Sequence, residues 1–311
     1  DILGAWKVRW GIKRMDYKIN PGLYAIGNPV HSSPVLVSAN YKLTFDVLRK
    51  ELSGLDCWIL ILDTKGINVW CAAGKGTFGT DELVSRIFKT GLTEIVSHRK
   101  LVLPQLGATG VSAHEVKKQT GFSVVYGPVR AKDIKAFLDS GFKATEEMRT
   151  VKFTLRNRLV LTPVELVNTA KLSLMIFGIM FLMNLFAARP FGLSDFIAYT
   201  GAVITGTVIT PLLLPVIPGR AFAWKGWLMG LLWTLILISY NGWFAPESLL
   251  LAIGDLLVLP SLSAYLTMNF TGSSTYTSFS GVIKEMKIAV PLIAISSVVG
   301  IVLLLINTFK V

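Results

Sequence analysis

Apolar positions in this chain follow two different patterns, and the change falls near residue 165. Before it, short runs of strand length alternate with segments whose apolar residues recur at helical spacing. The run 34–40 (PVLVSAN) is apolar and β-branched, and 41–52 then sets Leu43, Val47, Leu48 and Leu52 on one helical face. A continuous apolar strand is predicted over 57–63 (CWILILD), with further strands at 100–105 and 122–128. Helices are predicted over 80–91, capped by Thr80 and stopped by Gly91, over 112–121, capped by Ser112 and stopped by Gly121, and over 131–141. This alternation predicts a parallel α/β sheet covered by helices. Such sheets bind ligands beyond the carboxyl ends of their strands. The loops that matter are then 40–41, 64–79, 106–111 and 127–130. Residues 142–165 read as a basic connector that can take the form of a hairpin.

From about residue 166 the apolar runs are too long for a soluble core. Five are present, at 166–188, 193–217, 221–240, 248–268 and 288–309, each near the ~20 residues that carry a helix across a bilayer. Helices are required there because lipid offers no partner to backbone N–H and C=O groups. Trp224, Trp227, Tyr240 and Trp243 sit near run ends, where amphipathic aromatics favour the interface. Asn184 and Asp255 fall inside spans, and Pro260 after Gly254 predicts a break in the fourth. A buried Asp255 reads either as part of an ion or substrate path or as a helix–helix hydrogen bond.

Composition sharpens the division. Hydrophobic residues make up 52% of the 311 and charged ones 16%, with a mean hydropathy of +0.57. Disorder and a single ordinary soluble domain are both excluded. Residues 1–165 hold 24 Lys and Arg against 15 Asp and Glu, while 166–311 hold 7 against 4. The basic character therefore belongs to the first part, where it attracts acidic proteins or anionic lipid; nothing beyond charge points to nucleic acid. Loops 218–220 and 269–287 share a side with that part and carry Arg220, Lys284 and Lys287, with Lys225 just inside the third span. The opposite side has Arg189, Lys310 and Glu247. This bias predicts a multi-pass protein of the cytoplasmic membrane with its first domain in the cytoplasm. The chain opens on Asp1 rather than Met, which leaves room for a native N-terminal segment upstream, and it shows no signal-peptide pattern. Cys57 and Cys71 are its two cysteines. They exclude a disulfide scaffold, a four-cysteine zinc site, and an iron–sulfur cluster held by four cysteines of this chain.

Candidate chemistry concentrates in the loop Thr64–Gly76 after the 57–63 strand. Gly74-Lys75 hints at a phosphate loop, but the spacing G-x-x-x-x-G-K-[ST] is absent. Cys71 as a nucleophile needs a base, for which His98 and His114 are in the same domain. Cys71 as a small buried hydrophobe is the plainest reading, and Cys57, opening a buried strand, reads the same way. The remaining reading is a metal-ligating thiolate. A place near a helix N-terminus beside Lys75 favours the thiolate. Ala72-Ala73-Gly74 would let a large flat cofactor approach, and one thiolate suits the axial position of a metal whose macrocycle supplies the other ligands.

Asn68-Val69-Trp70-Cys71-Ala72-Ala73-Gly74-Lys75 resembles, in all eight residues, the signature of the HgcA family, the corrinoid proteins of microbial mercury methylation. The stretches 21–29 and 269–286 resemble the same family and the related large subunit of the corrinoid iron–sulfur protein of acetyl-CoA synthesis. The resemblance implies a Rossmann-like corrinoid-binding domain at 1–160 and an all-α transmembrane domain of five helices at 161–311. It implies that Cys71 is the lower axial ligand to the cobalt of a cobalamin, on a cap helix shaped by Asn68, Val69, Trp70, Ala72, Ala73, Gly74 and Lys75. Thr64, Gly66 and the loop Gly107-Ala108-Thr109-Gly110-Val111 are the expected contacts for corrin side chains or the nucleotide tail, or else plain turns. The implied activity is that of a corrinoid-dependent methyltransferase carrying a methyl group on cobalt to Hg(II), giving methylmercury. The implied partners are a ferredoxin with two [4Fe–4S] clusters and a separate methyl-donor methyltransferase. The Ser/Thr-rich loop 271–280 is a place for cofactor or ferredoxin to dock. A corrinoid methyl carrier with a non-mercury acceptor, and a cobalamin-linked membrane transporter working through Asp255, are the alternatives.

Overall fold

In the computed structural model, which describes residues 2–274, 276–277 and 279–309, the chain forms two compact units. One comprises residues 1–8 and 12–152, the other 9–11 and 153–311. Of the loop 271–280, Thr275 and Ser278 lie outside the described residues, as does Lys310.

After helix α1 (Ile2–Arg9), the first unit builds one five-stranded sheet from β1 (Gly22–Ile26), β2 (Val35–Ala39), β3 (Cys57–Leu62), β4 (Lys100–Leu103) and β5 (Ser123–Tyr126), in the order β1-β3-β2-β4-β5. Four strands run parallel, as the alternation predicted. β1 was not anticipated as a strand. It adds antiparallel to β3, pairing Gly22 with Ile61 and Ile26 with Cys57, so the sheet is mixed. The helices are α2 (Lys42–Glu51), α3 (Val69–Gly74), α4 (Thr80–Lys89), α5 (Leu92–Ile95), α6 (Ala113–Thr120), α7 (Ile134–Asp139) and α8 (Glu146–Arg149). Successive strand residues serve opposite faces because side chains alternate along a strand. Val35, Val37, Leu60, Leu62 and Leu101 pack under α3, α4 and α6. Leu36, Ile59, Ile61 and Val102 pack against Phe45 and Leu48 of α2 and Ile134 and Phe137 of α7.

Ser112 and Gly121 bound α6 as expected, Ser112 accepting from the Glu115 N–H. Thr80 does not cap its helix. Gly79 holds that position, and the Thr80 hydroxyl accepts from the Ser112 N–H at 2.9 Å, tying two loops together. The 142–165 segment is no hairpin: it contains α8 and the start of the first long helix.

Among the described residues of the second unit, five helical segments are long and apolar enough to cross a membrane. They are α9 (Leu155–Met183), α10 (Leu193–Ile204) continued through a π-helical turn into α11 (Thr210–Leu213), α12 (Phe222–Asn241), α13 (Leu249–Asn269) and α14 (Phe279–Phe309). Small residues let them approach closely, the usual device where hydrophobic driving force between helices is weak. A Cβ on Gly300 would stand 2.9 Å from the Gly254 carbonyl, and one on Gly230 would stand 2.8 Å from Pro260 Cα.

The expected break at Pro260 does not occur, since α13 runs unbroken through it. The irregularity lies in the second span instead, at Thr205–Ile209. There the Gly206 carbonyl accepts from the Thr267 hydroxyl of α13 at 3.0 Å. Asn184 caps α9, its side chain bonding the Phe191 backbone in both directions. Trp243 is buried with Leu237, Ile238 and Leu251.

Candidate functional site

The site begins with Asn40, the residue that follows β2. Its side chain is 1% exposed. Oδ1 accepts from the Thr64 N–H at 3.1 Å, the Gly66 N–H at 2.9 Å and the Thr64 hydroxyl at 2.9 Å. Its amide donates to Asp63 Oδ1 at 3.1 Å, and that oxygen also accepts from the Lys65 N–H. The Asp63 N–H in turn donates to Glu82, which is held by Arg86 at 2.7 Å. Lys65 and Gly66 both take positive φ, 57° and 75°. That conformation is free of steric cost at glycine and costly elsewhere, so the Asn40 bonds hold a turn that Lys65 alone would not favour.

This turn delivers the chain to α3. Asn68 is the N-cap, its Oδ1 accepting from the Cys71 N–H at 2.9 Å. Cys71 is a free thiol, half-buried, one turn into the helix. Val69, Ala72 and Ala73 face the core. Their placement revises the reason for the small residues: Ala72 and Ala73 serve packing, and only Gly74 lies on the open side. Lys75 closes the helix and is exposed.

The other predicted loop supports α3 from below. A Cβ on Gly107 would meet the Phe78 ring at 2.5 Å, and one on Gly110 would collide with the Phe78 carbonyl and stand 3.0 Å from Ala73 Cα. Val111 is buried and its carbonyl accepts from the Tyr126 hydroxyl at 2.7 Å. Thr109 is the exposed member of the loop, and Ala108 and Gly110 are half-buried. Thr64 and Gly66 are likewise buried and committed to the turn. These two, with Gly107, Gly110 and Val111, therefore hold the turn and the loop against which α3 sits.

A cavity of about 410 Å³ opens at the carboxyl ends of β2 and β4, where the strand order reverses and ligands bind in folds of this type. Asn68, Val69 and Trp70 form one wall; Tyr41 and Thr44, with Pro104 and Pro128, form others. Cys71 is not among its lining residues. Trp70 is 36% exposed, so it is a wall and not core. Asn40 as an organiser was missed by sequence reasoning, which flagged only its loop; the available signal was a polar residue closing an otherwise apolar buried strand.

His98 bonds the Ser33 carbonyl before β4, at the amino end of the sheet, opposite to the loop that bears Cys71. It is not the base that a nucleophilic Cys71 would need. Cys57 is buried in the core, and burial, with Asp56 second, pushes its thiol up to about 11. Among the described residues no three His, Cys, Asp or Glu side chains group as metal ligands. The donor set at α3 is thus one thiol beside an apolar cleft, which fits a metal whose other ligands come from a macrocycle.

Comparison with known proteins places the similarity in the first unit. Residues 13–138 match the family CdhD, the CO dehydrogenase/acetyl-CoA synthase delta subunit. The acetyl-CoA decarbonylase/synthase complex subunit gamma of Methanopyrus kandleri is 34% identical over 128 residues, covering 40% of this chain and 27% of that protein. The gamma subunits of Methanocaldococcus jannaschii (33% over 127 residues, 40% of this chain and 26% of that protein) and Archaeoglobus fulgidus (32% over 135 residues, 43% and 28%) are similar. The chain thus spans about a quarter of the length of these curated relatives. The resemblance to the large subunit of the acetyl-CoA-synthesising system is met over this unit.

Proposed function

We infer that the first unit binds a corrinoid through Cys71 and carries a methyl group, with Hg(II) as the acceptor that the 68–75 signature favours. The observation that carries this reading is α3 itself: a half-buried free thiol, one turn into a six-residue helix at the carboxyl edge of the sheet. The relatives belong to a complex named for decarbonylating acetyl-CoA. Removing the carbonyl from an acetyl group leaves a methyl group to be handled, which supports a methyl-carrying role.

A corrinoid held there supplies a cobalt centre that accepts a methyl group and releases it to an electrophile. The chain's own contribution would be one sulfur ligand and the rigidity of the helix that carries it. Cys71 would hold the cobalt through its sulfur, and an anionic sulfur there would favour loss of a methyl group with its electron pair, as an Hg(II) substrate requires. Asn68 fixes the backbone at Cys71 through its cap. Trp70 walls the cleft. Asn40, Thr64 and Gly66 hold the turn that sets the height of α3, and Gly107 and Gly110 let α3 seat closely.

In this reading electrons come from an iron–sulfur protein of the ferredoxin type, and the methyl group from a methyl-donor methyltransferase. The basic surface favours an acidic partner. The five apolar helices anchor the unit at the cytoplasmic membrane, with the corrinoid domain on the cytoplasmic side.

Anaerobic absorption spectra of the purified chain with methylcobalamin, wild type beside Cys71→Ala, test this reading. A sulfur-perturbed spectrum lost in the variant is the expected result. Identical free-cofactor spectra in both overturn it. Adding thiol-complexed Hg(II) and measuring methylmercury then tests the acceptor separately: methyl loss only to another acceptor sinks the mercury assignment and leaves the carrier.

A further inference from the structure

The second unit contains a cavity that methyl transfer does not use. Its volume is about 450 Å³, and it lies between α9, α10, α13 and α14, walled by Ile176, Met180, Leu259 and Leu304 among others. Ile179, Ile301 and Leu305 at its edge are 50%, 47% and 36% exposed, so it opens sideways, where acyl chains surround a spanning unit.

Two carboxyl groups line it, Asp195 from the first turn of α10 and Asp255 from the middle of α13. Asp195 Oδ2 accepts from the Gly192 N–H at 2.8 Å. Asp255 is only 5% exposed, and its Oδ2 is buried with no hydrogen-bond partner among the described residues. The nearby hydroxyl of Tyr199 is paired with Ser173. No Lys, Arg or His is among the lining residues. An unpartnered buried carboxyl oxygen is costly, and carboxylates inside spans mark binding sites.

We propose that this cavity binds a membrane-soluble amphiphile with a cationic, hydrogen-bond-donating head, an alkylammonium group, its head on Asp255 and its apolar body between α9 and α14. Charge selects the head: two carboxyl groups face the cavity and no base lines it, Arg189 acting on Asp255 only from outside the lining, so phosphate- and carboxylate-headed lipids are disfavoured. A purely apolar occupant leaves Asp255 Oδ2 unsatisfied. An inorganic cation demands several oxygen ligands, and these walls are mostly hydrocarbon.

The test uses the full chain in phosphatidylcholine nanodiscs with tritiated amantadine as probe. Saturable binding is expected. 1-Adamantanol, with the same body and a neutral head, should compete about tenfold more weakly, and 1-adamantanecarboxylate should not compete. Asp255→Asn should lower amantadine affinity at least about tenfold. Ser297→Leu fills the cavity from α14 and keeps both carboxyl groups, and it should abolish binding too, so the result does not hang on one variant's folding. Non-saturable uptake, equal binding by wild type and both variants, or equal displacement by the carboxylate overturns the proposal and leaves Asp255 as a helix-packing residue.

Discussion

Asn40 accepts three hydrogen bonds on one oxygen while its amide is oriented by Asp63. Removing it strands two buried backbone donors of the turn, the Thr64 and Gly66 N–H groups, while the Thr64 hydroxyl keeps the Ile67 carbonyl. We expect Asn40→Ala to cost about 2–3 kcal/mol in chemical denaturation and to weaken corrinoid binding without touching Cys71; unchanged cofactor spectra would contradict its positioning role. The two cysteines should separate by reactivity. A thiol reagent at neutral pH should label half-buried Cys71 in the folded chain and leave Cys57 unlabelled until denaturant is added, read by mass spectrometry. Cys57 also carries a pH dependence. Its thiol is raised from 9.0 to about 11, so the folded chain holds this proton more tightly than the unfolded chain. That contribution is whole below pH 9.0, is lost as pH rises, and is gone above about 11. Cys57→Ala should flatten the alkaline limb of stability over that window; an unchanged slope would contradict it.

At the scale of elements, α3 is too short to be stable alone. It exists because Asn68 caps it, Ala72 and Ala73 bury, and the 107–111 loop seats against Ala73 and Phe78. Gly110→Ala drives a methyl group into the Phe78 carbonyl and should lower stability by about 1–3 kcal/mol, with a matching fall in Tm. Gly74→Ala, where a Cβ meets nothing within 4 Å, is the control and should be near neutral. The spans teach a related lesson. Proline at 260 predicted a break by removing a backbone donor, yet α13 holds because it packs between α12 and α14, and the irregular turn falls in the second span where α13 hydroxyls satisfy its carbonyl groups.

For the whole molecule, the two units have separate cores. The first has apolar clusters on both faces of its sheet, so a fragment spanning 12–152 should fold cooperatively without lipid, with one far-UV circular dichroism transition. A non-cooperative melt would mean that its core depends on the rest of the chain.

Much of this was legible along the chain. Period-2 and buried runs marked four of the five strands, helical spacing marked their covering helices, and five apolar runs marked the spans, because each pattern reflects which side of a local element meets water or lipid. The 68–75 segment also announced itself by residue type. What the chain could not announce were relations between distant residues. β1 joins as an antiparallel edge through pairing with β3, a long-range choice that its own five residues do not encode. The glycines at 107 and 110 read equally as cradle or turn until Phe78 and Ala73 were seen against them. Asn40 and Thr64 stand far apart in sequence, and only folding turns them into one clamp. Asp255 was visible as a polar residue in a span, but its unpartnered oxygen and the cavity beside it exist only once four helices are packed. Local patterns determine elements because they depend on solvent exposure of neighbours in sequence; sites are decided by tertiary structure because they depend on neighbours in space.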